Sequence, residues 1–265
     1  MPAPARVLSL AGATVQVFAD APTGCRAAAD QIAQVTRSAL EARGRAVLGL
    51  ATGSTPIPIY ARLIELVKSG ELSFADVITY NLDEYYPISP LDPNSYRYFM
   101  HKYLFSQVDL PSNRAHVLDG SIPEAFAAEQ AAAYDRWIVA DGGLDLQLLG
   151  LGRNGHIGFN EPSDLPLEEA LALPTRLTDL DPITIADAAK DFGGEANVIR
   201  RALTVGVAPI LAAGTIVVAA FGGNKAEAVA QSLKGPKTPK VPGSLLQTVP
   251  GKVTWYLDEA SAKGL

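Results

Sequence analysis

A chain of 265 residues, 48% hydrophobic and 19% charged, can bury one large core, and no apolar run in it approaches the length of a membrane span. Its formal charge of -6 argues against a general nucleic-acid or acidic-membrane surface, so a site for a small anion must be built locally. The single Cys25 excludes an internal disulfide and a thiolate cluster for zinc or iron–sulfur, and without a basic-then-apolar leader the expected location is cytoplasmic.

In chain order, the alternating, β-branched stretch 14–18 (TVQVF) predicts a strand, and the Ala-rich stretch 23–43 predicts a long helix stopped by Gly44. A short apolar strand at 45–50 runs into ATGSTP at 51–56, and helical periodicity returns over 57–68. Strand, small-residue turn and helix together leave backbone N–H groups open at the helix N-terminus. They add hydroxyls from Thr52, Ser54 and Thr55, and aim the positive end of the helix dipole at whatever binds there. That chemistry suits a phosphate, with an ordinary N-cap as the alternative.

The stretch 77–82 (VITYNL) predicts a strand that delivers Asp83 and Glu84 at its C-terminal end, the edge at which open α/β sheets bind ligands. For either carboxylate the alternative is a cap or a solvated turn. Residues 85–93 read as a proline-rich loop able to fold over a site, and 95–105 as an amphipathic helix whose aromatic stripe serves the core rather than base stacking. His101 and His116 lack metal-ligand spacing and read as structural. Residues 123–140 read as a helix, and 144–149 (LDLQLL) as a strand entering the middle of a sheet.

That strand opens into LGLGRNGHIGFNEP at 149–162, the densest group of reactive side chains in the chain. Gly150, Gly152 and Gly155 let the backbone turn or a ligand approach; His156 follows the Asn154 and Gly155 turn, and Glu161 stands five residues later. An imidazole titrating near neutral pH beside a carboxylate is suited to proton transfer, the alternative being a solvated or packed histidine. Residues 163–192 read as a lid, with a short helix at 184–191 inside it. The stretches 202–207 (ALTVGV) and 215–220 (TIVVAA) read as strands, the second running into FGGNK at 221–225, where Lys225 opens a helix and can place its ammonium on an anion. Lys234, Lys237 and Lys240 fall in an exposed loop rather than a nucleic-acid surface, and 253–257 makes a last strand. Alternating strands and helices predict an α/β fold, a parallel sheet covered on both faces in a single domain spanning 1–265.

Taken jointly and in order, LGLATGSTP (48–56), NLDEYYPI (81–88), SYRYFM (95–100), LGLGRNGHIGFNEP (149–162), ALTVGV (202–207) and the turn Gly223, Asn224, Lys225 resemble the glucosamine-6-phosphate deaminase family, also called glucosamine-6-phosphate isomerase. The resemblance implies a three-layer α/β/α sandwich with a mostly parallel, Rossmann-like central sheet. It also implies conversion of glucosamine 6-phosphate and water to fructose 6-phosphate and ammonia, with no metal or organic cofactor. Carried over, Asp83 resembles the base that moves a proton between C2 and C1, and His156 the group that opens the sugar ring, oriented by Glu161 and Asn154. Thr52, Gly53, Ser54 and Thr55 resemble the phosphate cradle, with Lys225 closing it from another side.

The chain departs from the family pattern in three places. Asn154 stands where many members carry Asp, which shifts the histidine relay toward Glu161. Lys190 stands where a phosphate-binding Arg is expected, a point charge in place of a fork, with Arg201 as a candidate helper. Arg176 is followed two residues later by Thr178, where members activated by N-acetylglucosamine 6-phosphate carry a Lys, so that activation is expected to be absent or weak. Relatives occur as single subunits and as hexamers, so a homo-oligomer is compatible with the resemblance. The alternatives are a galactosamine-6-phosphate deaminase, a 6-phosphogluconolactonase, which shares the fold, and a non-catalytic sugar-phosphate sensor.

Overall fold

The computed structural model describes residues 2–265. Its strands are β1 Arg6–Leu10, β2 Ala13–Phe18, β3 Ala46–Leu50, β4 Val77–Asn81, β5 Asp83–Tyr86, β6 Ala115–His116, β7 Leu146–Leu149, β8 Arg176–Asp179, β9 Arg201–Thr204, β10 Thr215–Ala220 and β11 Val253–Asp258. Its helices are α1 Ala21–Arg43, α2 Pro56–Lys68, α3 Tyr96–Tyr103, α4 Ala127–Ala140, α5 Leu167–Leu171, α6 Pro182–Ala188, α7 Val207–Ala212 and α8 Ala226–Lys234.

Eight of the strands form one sheet in the order β1-β2-β11-β10-β7-β3-β4-β6, parallel throughout except for the β1–β2 pair. From β3 the order runs outward through β4 and β6, and from β7 it runs the other way through β10 and β11. Connections therefore leave in opposite directions between β3 and β7, and such a switch point opens a crevice above the carboxyl ends of the strands.

α1 starts where the Asp20 side chain accepts from the Thr23 amide at 2.8 Å and stops where Gly44 turns left-handed, at φ 70°. Its buried side holds five alanines with Gly24, Cys25, Ile32 and Thr36, mostly small residues, so the helix can lie close on the sheet, where the Tyr256 hydroxyl donates to Gln31. α4 covers the opposite face, with Tyr134 set edge-on to Tyr80 at 5.2 Å. His116 stacks on the Tyr80 ring at 4.6 Å, a packing role. The layers are therefore the α/β/α sandwich expected from the sequence. Among the described residues no helix is long and apolar enough to cross a membrane.

Three short strands build something the sequence reading did not contain: an antiparallel sheet in the order β5-β9-β8. Tyr85 and Tyr86, read as the start of a loop, belong to β5. The strand read at 202–207 is β9, which ends at Thr204, and Val207 already starts α7. β1 and β8 were not anticipated, and the helix read at 184–191 runs from Pro182 to Ala188, with Lys190 beyond its end.

The physical reason lies at Leu82. Its amide donates to Leu50 O at 2.9 Å in the large sheet, while its carbonyl accepts from Val205 N at 2.7 Å, beside the small one. One residue thus hands the chain from sheet to sheet, and strands of four residues are too short to display a period. A separate apolar cluster, including Tyr85, Phe159, Ile185, Val198 and Ala202, seals the small sheet.

Candidate active site

Four adjacent strands, β4, β3, β7 and β10, end on the crevice, and each runs directly into a motif: Asp83 after β4, ATGSTP after β3, the His156 loop after β7, FGGNK after β10. Together they surround a cavity of about 280 Å³ lined by Thr52, Gly53, Ser54, Thr55, Asp83, His156, Lys190 and Lys225, among others. Glu161 and Asn154 are outside the lining, behind His156. A hollow of about 470 Å³ beside Arg43, Asp145 and Thr215 is larger, but those two charged side chains are bonded to each other.

Asp83 begins β5 directly opposite Thr204, so the small sheet fixes its backbone. Its side chain is buried, and its carboxyl has no hydrogen-bond partner among the described residues. Burial first, and then the neighbouring Glu84 charge, push it up to about 8. Glu84 has a different task. It accepts from Ser95 Oγ at 2.7 Å and from the amides of Tyr96 at 2.8 Å, Arg97 at 3.0 Å and Tyr85 at 3.0 Å, so it ties the start of α3 to β5. Of the two adjacent carboxylates, one is committed to structure and the other faces the cavity.

His156 directs Nδ1 at Glu161 Oε2, 3.2 Å away, and at Thr184 Oγ1, 3.1 Å away. Burial works against a charged Glu161, but hydrogen bonds from His156, Thr184 and Asn154 and the His156 charge outweigh it, holding the carboxyl below its ordinary range. An ionised carboxylate can only accept, so Nδ1 carries the proton in the neutral ring and Nε2 is the nitrogen left to exchange one. Asn154 touches the imidazole only indirectly: its amide donates to Glu161 Oε2 at 3.0 Å, and its carbonyl oxygen accepts from the His156 backbone amide at 3.2 Å. Thr184 escaped sequence reading because nothing near it in the chain marks it; α6 delivers it from 28 residues away.

Two glycines make room for these groups. A Cβ on Gly152 would stand 2.3 Å from the His156 ring, and one on Gly158 would stand 3.7 Å from Asp83 Oδ2 and 3.2 Å from Thr204 Oγ1, at a φ of 56°. Gly152→Ala is expected to displace the imidazole and lower turnover by about 100-fold or more while the fold persists. Turnover within threefold of wild type, measured beside an unchanged melting curve, would contradict this packing. Asn160 secures the far side of the loop, donating to Ile157 O and Val205 O, both at 2.9 Å, and accepting from Arg176 at 2.8 Å.

At the other end of the cavity Thr55 occupies the N-cap of α2 without making a side-chain cap bond, so the plain capping alternative is not realised there. Pro56 takes the first helical position, where an N–H is not needed for the helix. Lys225 is half-buried; burial most of all, and then the Arg153 and Lys190 charges, hold its ammonium below the usual lysine range, against an opposing pull from Asp187. Arg201 is not part of this group. It grips Glu124 at 2.8 and 3.0 Å and lies over the Tyr86 ring, so its reading as a helper for Lys190 is corrected. Tyr85 and Tyr96 also line the cavity, a contribution missed because aromatic residues in such a stretch are ordinarily core. Among the described residues no cluster of His, Cys, Asp and Glu is arranged to hold a metal ion.

The sheet switch point, the histidine–carboxylate couple and the cation-rich end of one cavity define an α/β enzyme that carries out acid–base chemistry on a small anionic substrate. A family model described as glucosamine-6-phosphate isomerases/6-phosphogluconolactonase matches residues 19–255, and the chain belongs to that family. The glucosamine-6-phosphate deaminase of Halothermothrix orenii is 45% identical over 216 residues, 82% of this chain and 86% of that protein. That of Rhodopirellula baltica is 47% identical over 216 residues, 82% of this chain and 83% of its own length. Among solved structures, a monomeric glucosamine-6-phosphate deaminase matches with a TM-score of 0.87 at 33% identity, over 95% of this chain and 99% of that one. A 6-phosphogluconolactonase from Trypanosoma brucei matches with a TM-score of 0.74 at 20% identity over 95% and 98%, a likeness of fold.

Proposed function

We propose that this protein converts glucosamine 6-phosphate and water to fructose 6-phosphate and ammonia. The observation that carries the reading is one cavity holding a buried, unpartnered Asp83, a His156 backed by Glu161, and a cationic end made by Lys190 and Lys225 beside the open start of α2. Relatives named for this activity at 45% and 47% identity supply the substrate class.

The chemistry divides between the two ends. Ring opening moves a proton from the anomeric hydroxyl to the ring oxygen as the C1–O5 bond breaks, and His156 Nε2 is the group to carry it. Asp83 then takes the C2 proton and returns it to C1 while a proton passes from the amine nitrogen to O1, so that the aldehyde becomes a hydroxymethyl group and the C2 amine an imine. Water adds at C2 and ammonia leaves. These steps need only proton transfers and water, so the reading calls for no cofactor. Thr52, Gly53, Ser54, Thr55, Lys190 and Lys225 hold the phosphate, and fixing that end places C1 and C2 without touching them.

In this reading residues 1–265 act as one hydrolase domain, cytoplasmic, with 163–192 as its lid. Within that span β8 is paired to β9, and α6 sets Thr184 against His156. Activation by N-acetylglucosamine 6-phosphate is expected to be absent or weak: Arg176 is engaged by Asn160, and Thr178 supplies no charge. Velocity curves should be hyperbolic with and without that compound; a sigmoidal curve made hyperbolic by it would contradict this.

Parallel assays of glucosamine 6-phosphate, galactosamine 6-phosphate and 6-phosphogluconolactone test the assignment. Ammonia from the gluco epimer, with little from the galacto epimer and no lactone hydrolysis, is the expected result. Lactone hydrolysis without ammonia release would overturn it.

A further inference from the structure

Arg153 stands between Gly152 and Asn154 in the catalytic loop, and its guanidinium meets Asp187 on α6 at two points, Nε to Oδ2 at 3.0 Å and Nη2 to Oδ1 at 2.7 Å. The side chains are 44% and 42% exposed, and a pair so open to water adds little to stability. Its position is more telling than its strength. Asp187 lines the cavity alongside Lys190, Lys225 and Thr52 to Thr55, and Arg153, Lys190 and Asp187 all act electrostatically on Lys225. Lys190, Lys225, Asp187 and Asp191 thus line the end where an anion would be held, and Arg153, paired to Asp187, stands close enough for its charge to act on Lys225. A phosphate arriving there is attracted by the cations and repelled by Asp187, unless the guanidinium exchanges one partner for the other. A guanidinium fork fits two phosphate oxygens as well as it fits two carboxylate oxygens, whereas Lys190 and Lys225 offer point charges.

We propose that Arg153 is a third phosphate-binding cation of this site and that Asp187 is the counter-ion it holds until the sugar phosphate arrives. The proposal rests on the reading of this cavity as a sugar-phosphate site. Lys190 leaves the lid side without a fork, and Arg153 supplies one from the loop that also carries His156. Asp187 holds the guanidinium beside the cavity until substrate binding breaks that ion pair.

The test compares wild type, Arg153→Ala, Arg153→Lys and Asp187→Ala in calorimetric titrations with inorganic phosphate, together with kcat and KM for glucosamine 6-phosphate. In Arg153→Ala, phosphate affinity is expected to fall and KM to rise by about tenfold, with kcat falling far less; Arg153→Lys should lie between. Asp187→Ala is expected to tighten phosphate binding by about threefold or more, because it removes the competing carboxylate. An ion pair that only braces α6 would make Arg153→Ala and Asp187→Ala shift in the same direction, since each breaks the same contact, and that result would overturn the proposal. Unchanged phosphate affinity in Arg153→Ala, or no phosphate binding by wild type, would also overturn it. The titration needs no turnover. Wild type that binds phosphate through Arg153 but releases no ammonia would leave this inference standing and remove the deaminase reading.

Discussion

Replacing Asp83 by asparagine is expected to lower turnover by about 1,000-fold or more and, at the same time, to make the folded protein more stable above neutral pH. Both effects follow from one buried carboxyl without a hydrogen-bond partner among the described residues, pushed up to about 8. A base that carries hydrogen between adjacent carbons must be desolvated to bind its proton firmly, and burial supplies that basicity. The cost falls on stability. An aspartate in the unfolded chain ionises near 3.9, so between about pH 4 and pH 8 the folded state holds a proton that the unfolded state has released. Stability from this group is therefore present below about pH 4 and is lost as pH rises toward 8. Asparagine does not ionise. The unfolding free energy of Asp83→Asn should exceed that of wild type by a margin that widens from pH 4 to pH 8 and then levels, on the order of a few kcal/mol at most, with the melting temperature rising in parallel. The acid limb of kcat/KM in wild type should correspondingly fall near 8. A limb near 4, with no stabilisation in Asp83→Asn, would show that Asp83 is an ordinary solvated carboxylate.

His156→Gln is expected to lower turnover by about 100- to 1,000-fold while leaving the grip on an open-chain ligand nearly intact. The histidine is assigned to ring opening alone, and the sugar opens slowly without help, so the variant should retain a residual rate limited by that spontaneous step. The check is inhibition by an amino-alditol phosphate, which has no ring to open. Its inhibition constant should change by less than about threefold in His156→Gln, against the large fall in turnover. Loss of both together would mean that His156 holds the substrate rather than opening it. Glu161→Gln should reproduce part of the kinetic defect, since a neutral amide cannot stabilise the imidazolium as the depressed carboxylate does.

Much of this site was legible because its residues stand where strands end. β3, β4, β7 and β10 are apolar runs that stop abruptly at Thr52, Asp83, Gly150 and the FGGNK turn, and a parallel sheet brings such ends to one edge. The five-residue step from His156 to Glu161 is short enough for the two to meet once the chain reverses between Ile157 and Asn160, and they do, at 3.2 Å. Residues that reach the site through other elements were not legible in the same way. Thr184 and Asp187 arrive on α6, a helix of seven residues after a stretch without periodicity, and Arg153 looks like any loop arginine until Asp187 is placed opposite it. The small sheet escaped notice because each of its strands is four residues long and because Leu82 changes sheets with no turn signal. The adjacent Asp83 and Glu84 read alike in the chain. Only packing shows that Glu84 caps α3 while Asp83 faces the cavity.

The most direct test of the account is the stoichiometry of products formed from glucosamine 6-phosphate by the purified protein, followed by ammonia assay and by spectroscopy of the sugar. One ammonia for each fructose 6-phosphate from wild type, with both lost together in folded Asp83→Asn, is the result the account predicts. Folded wild-type protein that yields neither product, or a ketose phosphate that still carries its nitrogen, would contradict it.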